Sequence, residues 1–254
     1  MARFLKHIGC SRCGSSDANA VYEDGSQFCF SCRKPTGSKV SPYVASSLRP
    51  DAEEETKVVL PSDVTQNYPE HAVAWCNKYD ITVEQMLQNN MVYSKWKDQL
   101  IFTFYGNTGD LLAYQARNLN PVSKAKRYYT CGDVNSLLPI YHCRHPLPEG
   151  VNSRRLVLVE DCLSAIKVAY TEGLGASAMC LLGSGISRTK LSRLRPFYDL
   201  LDVFLDPDMW HKSLSIVKQA QLLGFRTRPV QSDRDPKEHS YLELKDLLQQ
   251  STIA

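Results

Sequence analysis

A chain of 254 residues, 43% of them hydrophobic and 22% charged, has room for a small domain joined to a medium one and is too apolar for disorder over most of its length. Lysine and arginine outnumber aspartate and glutamate by only 30 to 27, so the net charge says little about partners, although the stretch 111–132 holds basic residues and no acid, a local patch that a polyanion would notice. No apolar run approaches the roughly 18 residues of a membrane span, and the opening Met-Ala-Arg-Phe-Leu-Lys-His-Ile lacks a secretion-signal core, so a cytoplasmic location without membrane contact is expected.

Nine cysteines are many for a reducing compartment, and their spacing decides what they do. Cys10-Ser-Arg-Cys13 and Cys29-Phe-Ser-Cys32 are two CxxC pairs. Two residues between thiols let a tight turn aim both sulfurs at one tetrahedral zinc, and the second pair closes the site. A redox CxxC would instead sit on a βαβ unit, and none is near. Between the pairs, residues 19–22 and 27–28 flank Asp24-Gly25, a hairpin signal. Residues 1–38 therefore read as a zinc ribbon whose Zn²⁺ is structural, holding together a module too small to fold on its own core. Its His7, Arg12, Tyr22, Phe28, Phe30, Arg33 and Lys34 mix cations with aromatics, the chemistry that pairs phosphates and stacks unpaired bases. Phe28 and Phe30 are equally suited to forming the ribbon's small core.

Residues 39–57, rich in serine, proline and charge, read as a flexible linker. In the next part, 58–152, helices are expected over 69–78, with proline at the start, and over 82–89; strands are expected over 99–105 and 111–117, around a turn at 106–110. The last part, 153–254, alternates: strand 156–159, helix 163–170, strand 178–182, helix 188–195, strand 200–205, helix 209–223, strand 225–229, helix 241–249. Near-continuous apolar strands in that order predict an α/β fold with a parallel sheet covered on both faces. Ligands of such sheets sit beyond the carboxyl ends of the strands. Glu160 stands there, directly after Leu-Val-Leu-Val, and so does Asp206-Pro-Asp208, directly after Val-Phe-Leu. Grouped carboxylates are hard oxygen donors of the kind Mg²⁺ takes, although acids at such turns also cap helices. Gly183-Ser-Gly-Ile-Ser-Arg-Thr-Lys190 lacks the GK[ST] ending of a phosphate loop, which argues against a nucleoside-triphosphatase motor.

At these residues the sequence resembles a known family. His7-Ile-x-Cys10-x-x-Cys13-Gly-Ser-Ser-Asp17, with Asp24-Gly-x-x-Phe28-Cys29-x-x-Cys32, is similar to the zinc ribbon of phage primases of the primase-helicase type. Leu156-Val-Leu-Val-Glu160, Leu181-Leu-Gly183-Ser-Gly185 and Asp206-Pro-Asp208 resemble the successive motifs of the Toprim fold, which bacterial-type primases share with some topoisomerases and nucleases. The resemblance implies a DNA primase that makes short RNA primers on a single-stranded DNA template from ribonucleoside triphosphates. It implies Mg²⁺ or Mn²⁺ held by Glu160, Asp206 and Asp208, with Asp235 as a later acidic position. It also implies that Arg117, Lys124, Lys126 and Arg127 handle nucleotide and template. Because the chain ends at Ala254 without a motor, a separate replicative helicase is the expected partner, in the host cytoplasm if the gene is a phage's.

The sequence departs from the family pattern at three places. Ser164 stands where many members have aspartate, and Asp161, adjacent to Glu160, would point elsewhere if the helix has begun there. Trp210 replaces a glycine, and Ser26 stands where some relatives have histidine. Two other functions use part of the same pattern: a Toprim nuclease acting on DNA would need the acids but not the basic segment, and a non-catalytic single-strand DNA-binding module would need neither metal nor triphosphate.

Overall fold

The computed structural model describes residues 3–32, 34–37, 57–120, 126–134, 137–145, 154–183 and 185–249. Two compact units divide the chain, residues 1–57 and 58–254; of the expected linker, only Lys57 lies within the described residues.

In the first unit, strands β1 (Phe4–Ile8), β2 (Asn19–Tyr22), β3 (Gln27–Cys29) and β4 (Lys34–Pro35) form one antiparallel sheet in that order. The β2–β3 turn falls at the expected Asp24-Gly25, where Gly25 takes φ +81°, a conformation costly for any residue with a Cβ. The Asp24 carboxylate closes the turn by accepting from the Ser26 amide at 2.9 Å and its hydroxyl at 2.6 Å. Ser26 is wholly buried, so this position carries turn chemistry rather than a ligand contact. The buried apolar residues here are Cys10, Ala20 and Cys29, too few to offset the entropy of ordering the unit without cross-links.

The second unit contains two sheets. Strands β5 (Val64–Thr65), β6 (Val92–Ser94), β7 (Gln99–Tyr105), β8 (Leu111–Asn118) and β9 (Tyr128–Gly132) are antiparallel neighbours in sequence order. Helices α1 (Glu70–Asn77) and α2 (Val83–Gln88) precede β6. Helix α2 starts where expected because Thr82 and Gln85 exchange side-chain and backbone hydrogen bonds in a capping box. Along β7, Leu100, Phe102 and Phe104 enter the main core while Ile101 packs with Tyr114 and Ala116 on the other face, the period of two that made this strand legible.

The other sheet has the order β10-β12-β11-β13-β14, from β10 (Ile140–Tyr141), β11 (Arg155–Val159), β12 (Ser177–Cys180), β13 (Leu200–Val203) and β14 (Arg226–Pro229). All pairings are parallel except that of the edge strand β10. Helices α3 (Cys162–Ala169), α4 (Arg188–Leu194), α5 (Trp210–Gln221) and α6 (Tyr241–Gln249) connect or follow the strands. Val157, Val159 and Cys180 share one core with Phe102 and Phe104 of β7, while Leu156, Leu158 and Leu201 face Leu191 of α4 and Ile216 of α5. The sheet is thus covered on both sides, and one side is locked to the antiparallel sheet. No helix among the described residues is long and apolar enough to cross a membrane.

Several elements differ from expectation. The strands expected to reach 182 and 205 end at Cys180 and Val203, and Leu182 turns to φ +51°. The helix expected from 209 opens with a 3-10 turn, Pro207–Met209. Strands β1, β4, β5, β6, β9 and β10 were not signalled; most are short, and edge pairing rather than their own pattern makes them strands. The apolar reading of β13 also misses Asp202, which is fully buried. Its carboxylate accepts from Arg155 Nε and Arg228 Nε, each at 2.7 Å, and both guanidiniums also donate to the Leu248 carbonyl in α6. One carboxylate therefore ties three adjacent strands to the last helix. Asp202→Asn is expected to lower stability by about 3–5 kcal/mol, the usual loss when one partner of a buried ion pair is removed. A denaturant midpoint equal to wild type would refute this role.

Candidate active site and metal centre

The first unit brings Cys10, Cys13, Cys29 and Cys32 together, with all four sulfurs within 4.8 Å of one another. The Cys10–Cys32 and Cys13–Cys29 sulfurs are 3.9 Å and 3.7 Å apart. Four ligands at a zinc–sulfur distance of about 2.3 Å stand about 3.8 Å from each other at tetrahedral angles, so the thiols are spaced for the ion. The first knuckle is a tight turn in which the Gly14 amide donates to the Cys10 carbonyl at 2.9 Å. The Cys13 and Arg12 amides lower the Cys10 thiol to about 7, whereas burial and the neighbouring thiols push Cys32 up to about 11. Four sulfurs this close do not all ionise without a cation between them, and a closed set of soft thiolates selects zinc.

The ribbon surface carries an aromatic stripe. The His7 ring lies 4.9 Å from Phe4 and 6.4 Å from Phe30, and Phe28 meets Phe30 edge-on at 5.3 Å. Tyr22 joins it through Phe4, at 6.2 Å. Phe30 is 56% exposed and Phe4 46%, which removes Phe30 from the core; Phe4 was missed because nothing in the sequence marks β1. Arg12 and Lys34 are exposed, and Arg33 lies outside the described residues.

The second unit forms a cavity of about 440 Å³ at the carboxyl edge of the parallel sheet. From β11 the chain runs to β12 on one side and returns past it to β13 on the other, so connections diverge at the β11–β13 crevice. Glu160, Asp161, Asp206 and Asp235 line it, following β11, β13 and β14. Glu160 Oε2 and Asp206 Oδ1 are buried and have no hydrogen-bond partner. Burial, reinforced by Asp235, pushes Asp206 up to about 7; burial and Asp161 raise Glu160 in the same direction. Asp208 is exposed on its 3-10 turn and does not line the cavity, though its charge also raises Glu160. Among the described residues only the four cysteines draw three or more metal-ligating atoms within 4.8 Å; the acids surround the cavity without closing on one point.

Asp161 lines this cavity, because the helix begins only after it. It is the N-cap of α3, with extended backbone, and a cap side chain folds back over the first turn, here toward the strand edge. Ser164, buried in α3, donates its amide to Asp161 at 3.0 Å and its hydroxyl at 3.2 Å, so it orients the neighbouring acid. Lys237, which sequence reasoning passed over, sets its ammonium 2.8 Å from Asp161 and 2.6 Å from Asp235. Burial works to lower its pKa, but the two carboxylates outweigh it and hold the amine charged.

Cationic and aromatic residues line the same cavity. Arg117 of β8 lies between the rings of Trp75 and Tyr128, 5.2 Å and 4.9 Å from their centres, and its buried Nε has no hydrogen-bond partner. Tyr128 is its cross-strand neighbour on β9; Lys126 and Arg127, just before that strand, are exposed. Arg127 lines the cavity, Lys126 is exposed outside it, and Lys124 lies outside the described residues. Trp75 and Tyr79 complete this lining; they come from α1 and the residues just after it, far away in sequence.

No family model matches the chain. It is 59% identical over 29 residues to the DNA helicase/primase of Enterobacteria phage T3, a match that spans 11% of this chain and 5% of that protein. Among solved structures, the primase fragment of the bacteriophage T7 primase-helicase protein aligns over 98% of this chain and 100% of its own, with 17% identity and TM-score 0.52. The zinc-binding and RNA polymerase domains of the Aquifex aeolicus primase align over 98% and 80%, with 12% identity and TM-score 0.57. A DnaG primase catalytic domain bound to single-stranded DNA aligns over 72% and 73%, with 12% identity and TM-score 0.55. The chain has the fold of the zinc-binding and RNA polymerase domains of primases, a zinc ribbon followed by an α/β core with a Toprim-type parallel sheet.

Proposed function

We propose that this protein is a DNA primase that copies a short stretch of single-stranded DNA into an RNA primer from ribonucleoside triphosphates. The observation that carries this reading is the cavity itself, whose lining combines carboxylate oxygens of Glu160 and Asp206 without partners and the cations Arg117 and Arg127. A magnesium-bound triphosphate is the ligand whose charges match both sets. Mg²⁺ or Mn²⁺, when bound, would neutralise the triphosphate and activate a 3′-hydroxyl. The orphan oxygens fit a hard cation, and Glu160 and Asp206 are its proposed holders, with Asp208 and Asp235 adding negative charge. Arg117, kept flat by its two rings, presents fixed donors to phosphate oxygens, and Arg127 adds a second set.

The ribbon's proposed task is template selection. Phe4, Phe28, Phe30, His7 and Tyr22 offer stacking faces, and Arg12, Arg33 and Lys34 offer charge to phosphates. Zn²⁺ is proposed as its structural metal. Since the relatives named above include a primase-helicase, a replicative helicase is the proposed partner, and the replicating DNA of the cytoplasm the proposed place of action.

Freshly purified protein should carry about one zinc per chain and lose it in Cys29→Ser together with the dispersed amide signals of residues 3–37; a zinc-free wild type would sink this metal assignment. Incubation with single-stranded template, Mg²⁺ and labelled ribonucleotides should yield short RNA products. Cut template would mean a nuclease, and retarded but unchanged DNA a binder. Glu160→Gln should cut synthesis at least about 100-fold while leaving template binding intact. Arg127→Ala should raise the half-saturating nucleotide concentration about tenfold, whereas Lys126→Ala should only flatten the log-salt dependence of template affinity by about one unit.

The raised acid gives a pH signature. Asp206 moves from the ordinary 3.8 to about 7, so between these values the folded state binds a proton that the unfolded chain does not. Folding stability from this group is therefore full below about pH 4 and declines as pH rises toward 7. Without divalent ions, melting temperature should fall across that window in wild type and fall less in Asp206→Asn; identical slopes would refute the assignment.

A further inference from the structure

We infer that Lys237 is a positioning residue whose ammonium holds the place of one of the two divalent cations that a carboxylate crevice of this kind can take, so that the site loads a single metal ion, at Glu160 and Asp206. The inference rests on the primase reading and adds to it the charge arrangement of this chain's own site.

Four of the five carboxylates lining the cavity divide into two sets, the fifth, Glu238, being exposed. Asp161 and Asp235 each place an oxygen on Lys237 Nζ, at 2.8 Å and 2.6 Å. Glu160 and Asp206 each keep a buried oxygen with no hydrogen-bond partner. One pair has its cation from the protein, and the other pair lacks one. Lys237 is also fixed in place: its side chain is only 11% exposed, and it lies in a 3-10 turn, Pro236–Glu238, begun by a proline. Its carbonyl accepts from the Lys167 ammonium at 3.0 Å, and Lys167, 1% exposed, is itself tied to Asp80 at 3.0 Å. A surface lysine that swings into a cavity has no such second anchor.

Chemically the substitution is unequal. An ammonium donates hydrogen bonds at the 2.6–2.8 Å seen here, whereas Mg²⁺ draws oxygens to about 2.0–2.1 Å. Lys237 can therefore quiet two carboxylates and set their spacing, but it supplies one charge instead of two and no open coordination position. Metal chemistry is left to Glu160 and Asp206, which line the same cavity as Arg117.

Manganese binding to the zinc-loaded full chain, followed by calorimetry and by the paramagnetic signal of free Mn²⁺, tests this without reference to activity. Wild type should bind one Mn²⁺ per chain. Lys237→Gln should bind two and melt lower than wild type when metal-free, with Mn²⁺ restoring the difference; Lys237→Arg, which keeps the charge, should return the count to one. In rate measurements the Mg²⁺ dependence of Lys237→Gln should steepen from first to second order. Two ions in wild type, or one in Lys237→Gln, would overturn the inference while leaving the primase reading standing. No ion beyond zinc in wild type would overturn the metal site itself. Should Lys237→Gln fail to fold, the wild-type count decides alone: one ion supports the inference and two overturn it.

Discussion

Like charges gathered at a partly buried sheet edge repel, and the structure of residues 58–254 turns on how that repulsion is contained. Two unit charges 4 Å apart interact by about 4 kcal/mol at an effective dielectric of 20, a sizeable share of a domain's whole stability. Strand order β12-β11-β13-β14 makes the crowding unavoidable, because it delivers Glu160, Asp206 and Asp235 to one crevice. The fold answers with geometry as well as charge. Lys237 bridges two acids, the α3 cap absorbs Asp161, and the Arg155–Asp202–Arg228 cluster clamps β11, β13 and β14 below the crevice, so its walls do not spread apart. A buried cluster of this kind is no bargain against apolar packing; what it supplies here is a fixed register for the strands that carry the acids.

The zinc ribbon meets the same problem with different donors. Four thiolates are no easier to crowd than several carboxylates, yet soft sulfur at 3.7–3.9 Å spacing suits zinc with no open position, whereas hard oxygens spread around a 440 Å³ cavity are the donor type of cations that keep water as ligand. One closed and one open anionic nest thus stand in a single chain.

How far the sequence anticipated this depends on the range over which each feature is encoded. The CxxC pairs and the hairpin at Asp24-Gly25 are local, and both are found where expected. The βα alternation is semi-local, and its helices and strands appear within a few residues of their expected bounds. The direction of Asp161 hung on where the helix begins, and capping geometry, which periodicity does not encode, decides it. Lys237 was missed because its partner Asp161 is 76 positions away, and the Trp75–Arg117–Tyr128 stack because it joins a helix to two strands. Asp202 escaped notice since a charge inside an apolar strand has meaning only once the arginines on β11 and β14 are known to flank it. Short edge strands such as β10, two residues long, hold their shape through a neighbour's hydrogen bonds and leave no pattern of their own.

Ser164 and Lys237 act on the charge of the crevice in the same direction. Ser164 removes a carboxylate from the first turn of α3, where the resemblance placed an aspartate in many members, and its hydroxyl instead steadies Asp161. Lys237 adds a cation opposite that same acid. Losing one negative charge and gaining one positive charge shift the crevice by two units in the same direction, equivalent to the charge of one divalent ion. Ser164 and Lys237 thus meet at one acid, Asp161, which takes a hydroxyl hydrogen bond from the first and an ion pair from the second.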